Sequence, residues 1–192
     1  MRILKLQVQI SVDGYVAGTN GELDWTVNAD EKLWQFMNEV ADSSGTLLLG
    51  RKMAEDFVGH FEAFKPDNPR FAFARKMVNI PRIIFTRTLD KPFGENTSLA
   101  KGNLADEIAK LKNQSQSPSE GKDILVYGGA GFVAELIAGR HIDEFLFFVN
   151  PVMINKGMRI FDLLNGRQKL SLISSTPYEC GITVLRYKLN NE

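Results

Sequence analysis

Apolar positions along the chain recur in two periods. Leu4, Leu6, Val8, Ile10 and Val12 alternate with Lys5, Gln7, Gln9 and Ser11, the period of a strand with one buried face. The other face is polar but not strongly charged, which suits solvent or a cleft for a polar ligand. Thr46 to Leu49, Arg82 to Phe85, Ile124 to Tyr127 and Phe145 to Val149 are short, mostly apolar runs that read as further strands. Between them the period lengthens to that of helices. Leu33, Phe36, Met37 and Val40 form one buried stripe; Leu104, Ile108 and Leu111 form another behind the cap residue Asn103; Phe132 to Ile137 begin a third. Asn28, with Glu31 three residues on, has capping-box spacing and places Asp30 in a first helical turn. Arg51-Lys52 opens a helix through Phe57, and Asn68-Pro69 marks another helix start. Asn150-Pro151 breaks the run before it, and Asn113 to Gly121 is a polar loop to which no function is assigned. Lys169 to Ser175 and Ile182 to Leu189, separated by a turn with Pro177 and Gly181, suit an antiparallel hairpin. The pattern predicts one α/β domain over residues 1–192, with a mostly parallel sheet and a C-terminal antiparallel hairpin.

Candidate chemistry sits where the strands end. Asp123 to Leu136, DILVYGGAGFVAEL, reads as strand, glycine turn and helix start. Glycines without Cβ let a phosphate approach the backbone, and free N–H groups at a helix N-terminus favour an anion. The same stretch also suits plain chain reversal, since it is neither the six-residue dinucleotide fingerprint nor followed by a Walker lysine. Two more strands end alike: Thr46 to Leu49 at Gly50-Arg51-Lys52, and Arg82 to Phe85 at Thr86-Arg87. Ligands of open α/β sheets gather outside the carboxyl ends of strands, so the three turns together carry more weight than any one.

Composition removes several classes. With 23 basic and 23 acidic residues there is no general field to attract nucleic acid or an anionic membrane. Cys180 is the only cysteine, so no intrachain disulfide forms, and His60 and His141 are too few and too distant for a metal cluster. No apolar run approaches the roughly 18 residues of a membrane span. A cytoplasmic protein without metal, nucleic-acid or membrane partners is the expectation.

Five blocks in order resemble the dihydrofolate reductase-like fold, and within it the reductase family that includes the C-terminal domain of the bacterial riboflavin-biosynthesis deaminase/reductase. They are SVDGYVAG (Ser11 to Gly18), LLLGRKM (Leu47 to Met53), PRIIFTRTL (Pro81 to Leu89), ILVYGGAGF (Ile124 to Phe132) and IDEFLFFVNPVMINKGMRIF (Ile142 to Phe161). The resemblance implies a three-layer fold and NADPH as cofactor. It gives the pyrophosphate to Gly128, Gly129, Ala130, Gly131 and Phe132. The adenosine side falls to Gly50, Arg51, Lys52, Thr86 and Arg87, with basic side chains favouring a 2′-phosphate. Val16 and Ala17 would lie near the nicotinamide. In dihydrofolate reductases a tryptophan precedes the pterin-binding carboxylate by five positions, and Trp25 precedes Asp30 at that spacing. Asp30 is therefore the expected catalytic or substrate-orienting acid, set against its plainer role of an acid favoured by the helix dipole.

Departures from the pattern bear on substrate. Gln7, Gln9 and Ser11 occupy positions where dihydrofolate reductases have small or apolar residues, so a cleft lined by them would hydrogen-bond a polar ring. Met53 replaces the usual threonine after the Gly-Arg pair, and Asn155 stands where relatives often have glycine. With no deaminase or zinc signature before it, the unit reads as a standalone reductase. The expected activity is hydride transfer to a small nitrogen heterocycle, like that of a 5-amino-6-(5-phosphoribosylamino)uracil reductase. The alternatives are a dihydrofolate or pterin reductase, a dinucleotide-binding module without turnover, and an interaction protein in which Phe145 and Phe147 meet a second subunit. A homodimer is expected alongside the enzymatic reading.

Overall fold

A computed structural model describes residues 1–27, 29–92, 94–114 and 122–190. The described chain runs β1 (Leu4–Ser11), α1 (Glu31–Ser43), β2 (Ser44–Gly50), α2 (Arg51–Glu62), α3 (Phe71–Asn79), β3 (Arg82–Phe85) and β4 (Thr97–Ala100). It continues through α4 (Leu104–Asn113), β5 (Asp123–Gly128), α5 (Ala130–Ala138), β6 (Glu144–Asn150), β7 (Leu170–Pro177) and β8 (Thr183–Leu189). One eight-stranded sheet has the order β4-β3-β2-β5-β1-β6-β8-β7. Pairings from β4 to β6 are parallel, and β8 joins β6 and β7 antiparallel.

Because the central strands are covered on both faces, the apolar side chains divide into two cores. Leu47, Leu49, Leu125, Leu146 and Phe148 pack under α1, α2 and α3 through Leu33, Met37, Phe57, Phe61 and Phe73. Leu4, Leu6, Leu48, Ile124, Val126 and Phe145 pack on the other side against Ile108 and Leu111 of α4 and Val133 and Leu136 of α5. This is the three-layer dihydrofolate reductase-like arrangement. Phe145 and Phe147 are 3% and 8% exposed, inside the second core. They do not form an outer face for a partner, as one sequence reading had them.

Several boundaries differ from the sequence pattern. Asn28 lies outside the described residues; the cap of α1 is Asp30, whose side chain accepts the Leu33 N–H. Glu31 then supplies the first-turn acid. The helix after Gly50 continues five residues beyond Phe57, to Glu62. Asn68 holds a turn, accepting the Arg70 N–H at 2.8 Å, and α3 starts only at Phe71. Strand β4 has no strong pattern of its own and is held from β3: Arg82, 2% exposed, donates to the Glu95 carbonyl and the Thr97 hydroxyl. Asn113 ends α4, and most of the polar loop after it, residues 115–121, lies outside the described residues.

Candidate active site at the strand ends

Strands β2 and β5 lie side by side, so the two glycine turns meet. A Cβ on Gly129 would stand 3.1 Å from the Gly50 Cα, and one on Gly50 would stand 3.0 Å from the Phe132 Cβ. Gly129 has φ +95°, a conformation costly for other residues. Both positions therefore require glycine, and the contact sets the N-termini of α2 and α5 next to each other. Neither helix has a side-chain cap or an acid in its first turn. Helices α1 and α4, by contrast, are capped by Asp30 and Asn103 and begin with acids. A Cβ on Gly131 would meet nothing within 4 Å. Two adjacent helix ends without side-chain caps, with open space beside Gly131, form a cradle that could take an anion.

Around the cradle stand the other residues expected on the adenosine side. Arg51 pairs with Glu55 across one turn at 2.5 Å, while Lys52 and Arg87 are exposed. The buried Thr86 hydroxyl accepts the Thr88 and Leu89 N–H groups at 3.1 Å, so it shapes the turn after β3. Phe85 and Phe132 stack at 4.8 Å between β3 and α5. Met53 fills the space over Gly128, its Cγ 3.3 Å from where a Cβ would sit.

Next to the cradle, β1 turns a polar face toward the layer of α1 to α3. Lys5 is paired with Asp123 at 2.5 Å. Ser11 donates to Asp13 at 2.6 Å. Gln9 accepts the Asn150 amide N–H at 2.8 Å. Gln7, only 6% exposed, has no hydrogen-bond partner among the described residues. Its amide atoms are not sealed off from solvent. A polar ligand there would exchange with water at this amide. Gln7 and Gln9 share the face of β1 that lies on the same side of the sheet as α1 to α3.

Two residues at this floor were not singled out in the sequence. Asn150, fully buried at the end of β6, accepts the Val27 N–H at 2.8 Å and donates to Gln9 and to the Phe148 carbonyl. Its only signal was the Asn-Pro break. Tyr127 is the extra residue of a bulge, since Leu48 pairs with Val126 while Leu49 pairs with Gly128. Bulges re-aim side chains beside sites. The Tyr127 ring packs edge-on against Phe57 at 5.5 Å, and burial pushes its phenol up to about 12. The hydroxyl is therefore a neutral donor at any working pH.

Asp30 joins this region through the loop that Asn150 holds. Its Oδ1 accepts from Leu33 at 3.0 Å and its Oδ2 from the Cys180 N–H at 3.3 Å. The Leu33 hydrogen bond is the main reason the carboxyl lies below its ordinary value, against the opposing effect of desolvation. At neutral pH it is an anion. Trp25, half-buried in the preceding loop, donates to the Glu22 carbonyl at 3.1 Å.

Val16 and Ala17, both 8% exposed, are fixed by pairing with the loop after β6. The Val16 N–H reaches the Met158 carbonyl at 2.9 Å, and the Met158 N–H reaches the Ala17 carbonyl at 2.8 Å. Asp13 ties the same two loops, accepting from Ile154 and Asn155. Asn155 has φ +65°, a left-handed conformation that asparagine tolerates better than most residues.

A recess of about 340 Å³ lies elsewhere, lined by His60, Phe64, Lys65 and Asp67 at the far end of α2. It shares no residue with the strand-end site. Among the described residues no three His, Cys, Asp or Glu side chains converge as metal ligands. No helix among them is long and apolar enough to cross a membrane.

A model of the RibD C-terminal domain matches residues 2–184. The chain belongs to the RibD C-terminal domain family. Its fold is that of three solved structures. One is a putative riboflavin biosynthesis protein from Shewanella sp. PV-4, 23% identical, covering all of both chains with a TM-score of 0.75. Another is a diaminohydroxyphosphoribosylaminopyrimidine deaminase/5-amino-6-(5-phosphoribosylamino)uracil reductase from Thermotoga maritima, 15% identical with a TM-score of 0.70. The match covers 98% of this chain and 57% of that one. The third is dihydrofolate reductase from Enterococcus faecalis complexed with NADP(H) and RAB-propyl, 16% identical, covering 98% and 97%, with a TM-score of 0.62. Membership in the RibD C-terminal domain family supports a reductase, an oxidoreductase activity.

Proposed function

We propose that the chain is a cytoplasmic NADPH-dependent reductase of riboflavin-type metabolism. Its substrate would be a small nitrogen heterocycle or its ribosyl derivative, in the class of the ribosylaminouracil named for the Thermotoga relative. The observation that carries this is the backbone contact of Gly50 with Gly129, which sets two uncapped helix N-termini together beside an amide-lined floor. A Cβ at Gly129 would close the cradle, so the residues present fit a pyrophosphate. The NADP(H) of the Enterococcus structure makes that cofactor the natural occupant.

When bound, NADPH supplies the hydride. The protein's own residues do the rest. Gly128 to Phe132 hold the pyrophosphate by backbone N–H groups. Lys52 and Arg87, with Arg51 once released from Glu55, meet a 2′-phosphate. Val16 and Ala17, locked to Met158, wall the nicotinamide end. Gln7, Gln9 and the Tyr127 hydroxyl orient the heterocycle. Asp30, held anionic by its cap, stabilises the protonated heterocycle beside Trp25.

Titration of the purified protein with NADPH and NADH, following tryptophan quenching and nicotinamide emission, tests the reading. Micromolar NADPH binding with NADH much weaker, on the order of tenfold or more, is expected. Oxidation of NADPH when aminopyrimidines or pterins are added then identifies the enzyme. No binding of either dinucleotide to folded protein overturns it. A homodimer belongs to the same proposal, and light scattering that returns the mass of one chain removes it.

A further inference from the structure

Of the polar side chains on the cleft face of β1, two are used up internally, one is free and one is half-used. The half-used one, Gln9, has its direction fixed by Asn150. A backbone N–H can only donate, so the Asn150 atom 2.8 Å from the Val27 nitrogen must be its oxygen. A backbone carbonyl can only accept, so the atom 3.0 Å from the Phe148 oxygen must be the amide nitrogen. Two main-chain groups of opposite polarity thus orient Asn150 without reference to any side-chain assignment. The remaining N–H of that nitrogen points at Gln9, 2.8 Å away, and demands the Gln9 oxygen. Asn150 is completely buried, so water does not compete for these bonds.

We infer that Asn150 sets the polarity of the substrate cleft: by holding the Gln9 oxygen it turns the Gln9 amide NH₂ outward, so the site takes a heterocycle by a ring carbonyl rather than by an amino-substituted edge. The inference deepens the reductase reading and rests on its placement of the cleft. Gln7, two residues earlier on the same face, is buried and without a partner among the described residues. Its amide offers an acceptor to the ring N–H that adjoins such a carbonyl. Together the two glutamines complement a lactam edge, C(=O)–NH. An amino-substituted edge would set a donor against the Gln9 NH₂ and leave both unsatisfied. Asn150 acts here as a positioning residue.

The test uses isosteric pairs that differ in this edge: 6-aminouracil against 2,4,6-triaminopyrimidine, and pterin against 2,4-diaminopteridine, each titrated calorimetrically into the purified protein. The oxo member of each pair is expected to bind about tenfold or more tightly, the discrimination a mismatched buried hydrogen bond provides. Gln9→Glu leaves one oxygen for Asn150 and presents the other to the cleft, so the preference reverses toward the amino member. Asn150→Asp removes the donor to Gln9 and reverses it too. Should the buried aspartate prevent folding, Gln9→Glu, at a half-buried position, still decides. An oxo-to-amino ratio near unity, a ratio within about twofold of wild type in folded Gln9→Glu, or failure of both oxo rings to bind overturns the inference. A parallel NADPH titration separates the two failures. Lost dinucleotide binding with an intact oxo preference breaks the reductase reading alone, and an unchanged ratio with intact NADPH binding breaks this inference alone.

Discussion

The ends of β2 and β5 present bare backbone, whereas β1 and β6 present side-chain amides, Gln9 held by Asn150. On the first side the chemistry comes from the absence of side chains: Gly50 and Gly129 approach until their backbones touch, and the helix N-termini are left open. On the second side it comes from Asn150, whose amide spends its hydrogen bonds on Val27, Phe148 and Gln9. The contrast matches what each half is proposed to hold. A dinucleotide phosphate is recognised by N–H groups that every sequence possesses, while a heterocycle edge needs a particular pattern of donors and acceptors.

The largest effect should come from filling the backbone half. Gly129→Val puts a branched residue at φ +95° with its Cβ 3.1 Å from the Gly50 Cα. It should cost about 3 kcal/mol in urea unfolding and abolish dinucleotide binding. Gly131→Ala sharpens the point, because its Cβ meets open space on a helix. Stability should hold or rise by up to about 1 kcal/mol while NADPH affinity falls. Equal losses in both variants would mean that the turn is structural only.

Next in size is the amide half. Asn150→Ala leaves the Val27 N–H and the Gln9 oxygen without their partner and should cost about 2–3 kcal/mol, with NADPH affinity in the surviving folded protein little changed. A large drop in NADPH affinity would show that the two halves are one unit. Smaller again is the double change Arg51→Ala and Lys52→Ala. Arg51 and Glu55 are about 40% exposed, so their pair contributes little to stability, within about 0.5 kcal/mol. NADPH affinity should fall about tenfold and NADH affinity should not. Equal losses for both dinucleotides would move the cations from the 2′-phosphate to the pyrophosphate.

The smallest effect on stability, and the one that separates two roles of Asp30, is Asp30→Asn. Asparagine also caps helices well, so α1 should persist. The Asp30 carboxyl is held below the ordinary aspartate value, chiefly by the Leu33 N–H. A depressed folded-state value contributes stability that is present above the unfolded pKa and lost as pH falls through the folded one. The stability gap between wild type and Asp30→Asn should therefore be flat above about pH 5 and shrink below about pH 4. Urea midpoints across that range measure it. A gap that changes near neutrality would mark a raised pKa and make Asp30 a proton donor instead of a fixed anion.

Much of the first half of the site was legible before the fold was known. Gly50 and Gly128 to Gly131 follow apolar runs and precede helical periods, so both turns announce themselves locally. The alternation of β1 showed that Gln7 and Gln9 share one face, but it did not say whether that face meets solvent or a cleft. Asn150 gave no more than a strand break, because its three partners, Gln9, Val27 and Phe148, include two from distant parts of the chain. Tyr127 read as one more buried strand residue, since the bulge that sets it apart exists only in the pairing of β2 with β5. Asp30 was expected within the first turn of α1 and proves to be its cap.

By itself the sequence determined the alternation of layers, the parallel sheet with its hairpin, the places where the backbone must be bare, and the family. These depend on local period and on glycine, which act over a few residues. Tertiary structure alone decided that Gly50 touches Gly129, that Phe145 and Phe147 face inward, and that the Gln9 oxygen accepts from Asn150. Each of these requires groups far apart in the chain to be brought within hydrogen-bond or van der Waals range, and only the closed sheet order β2-β5-β1-β6 does that.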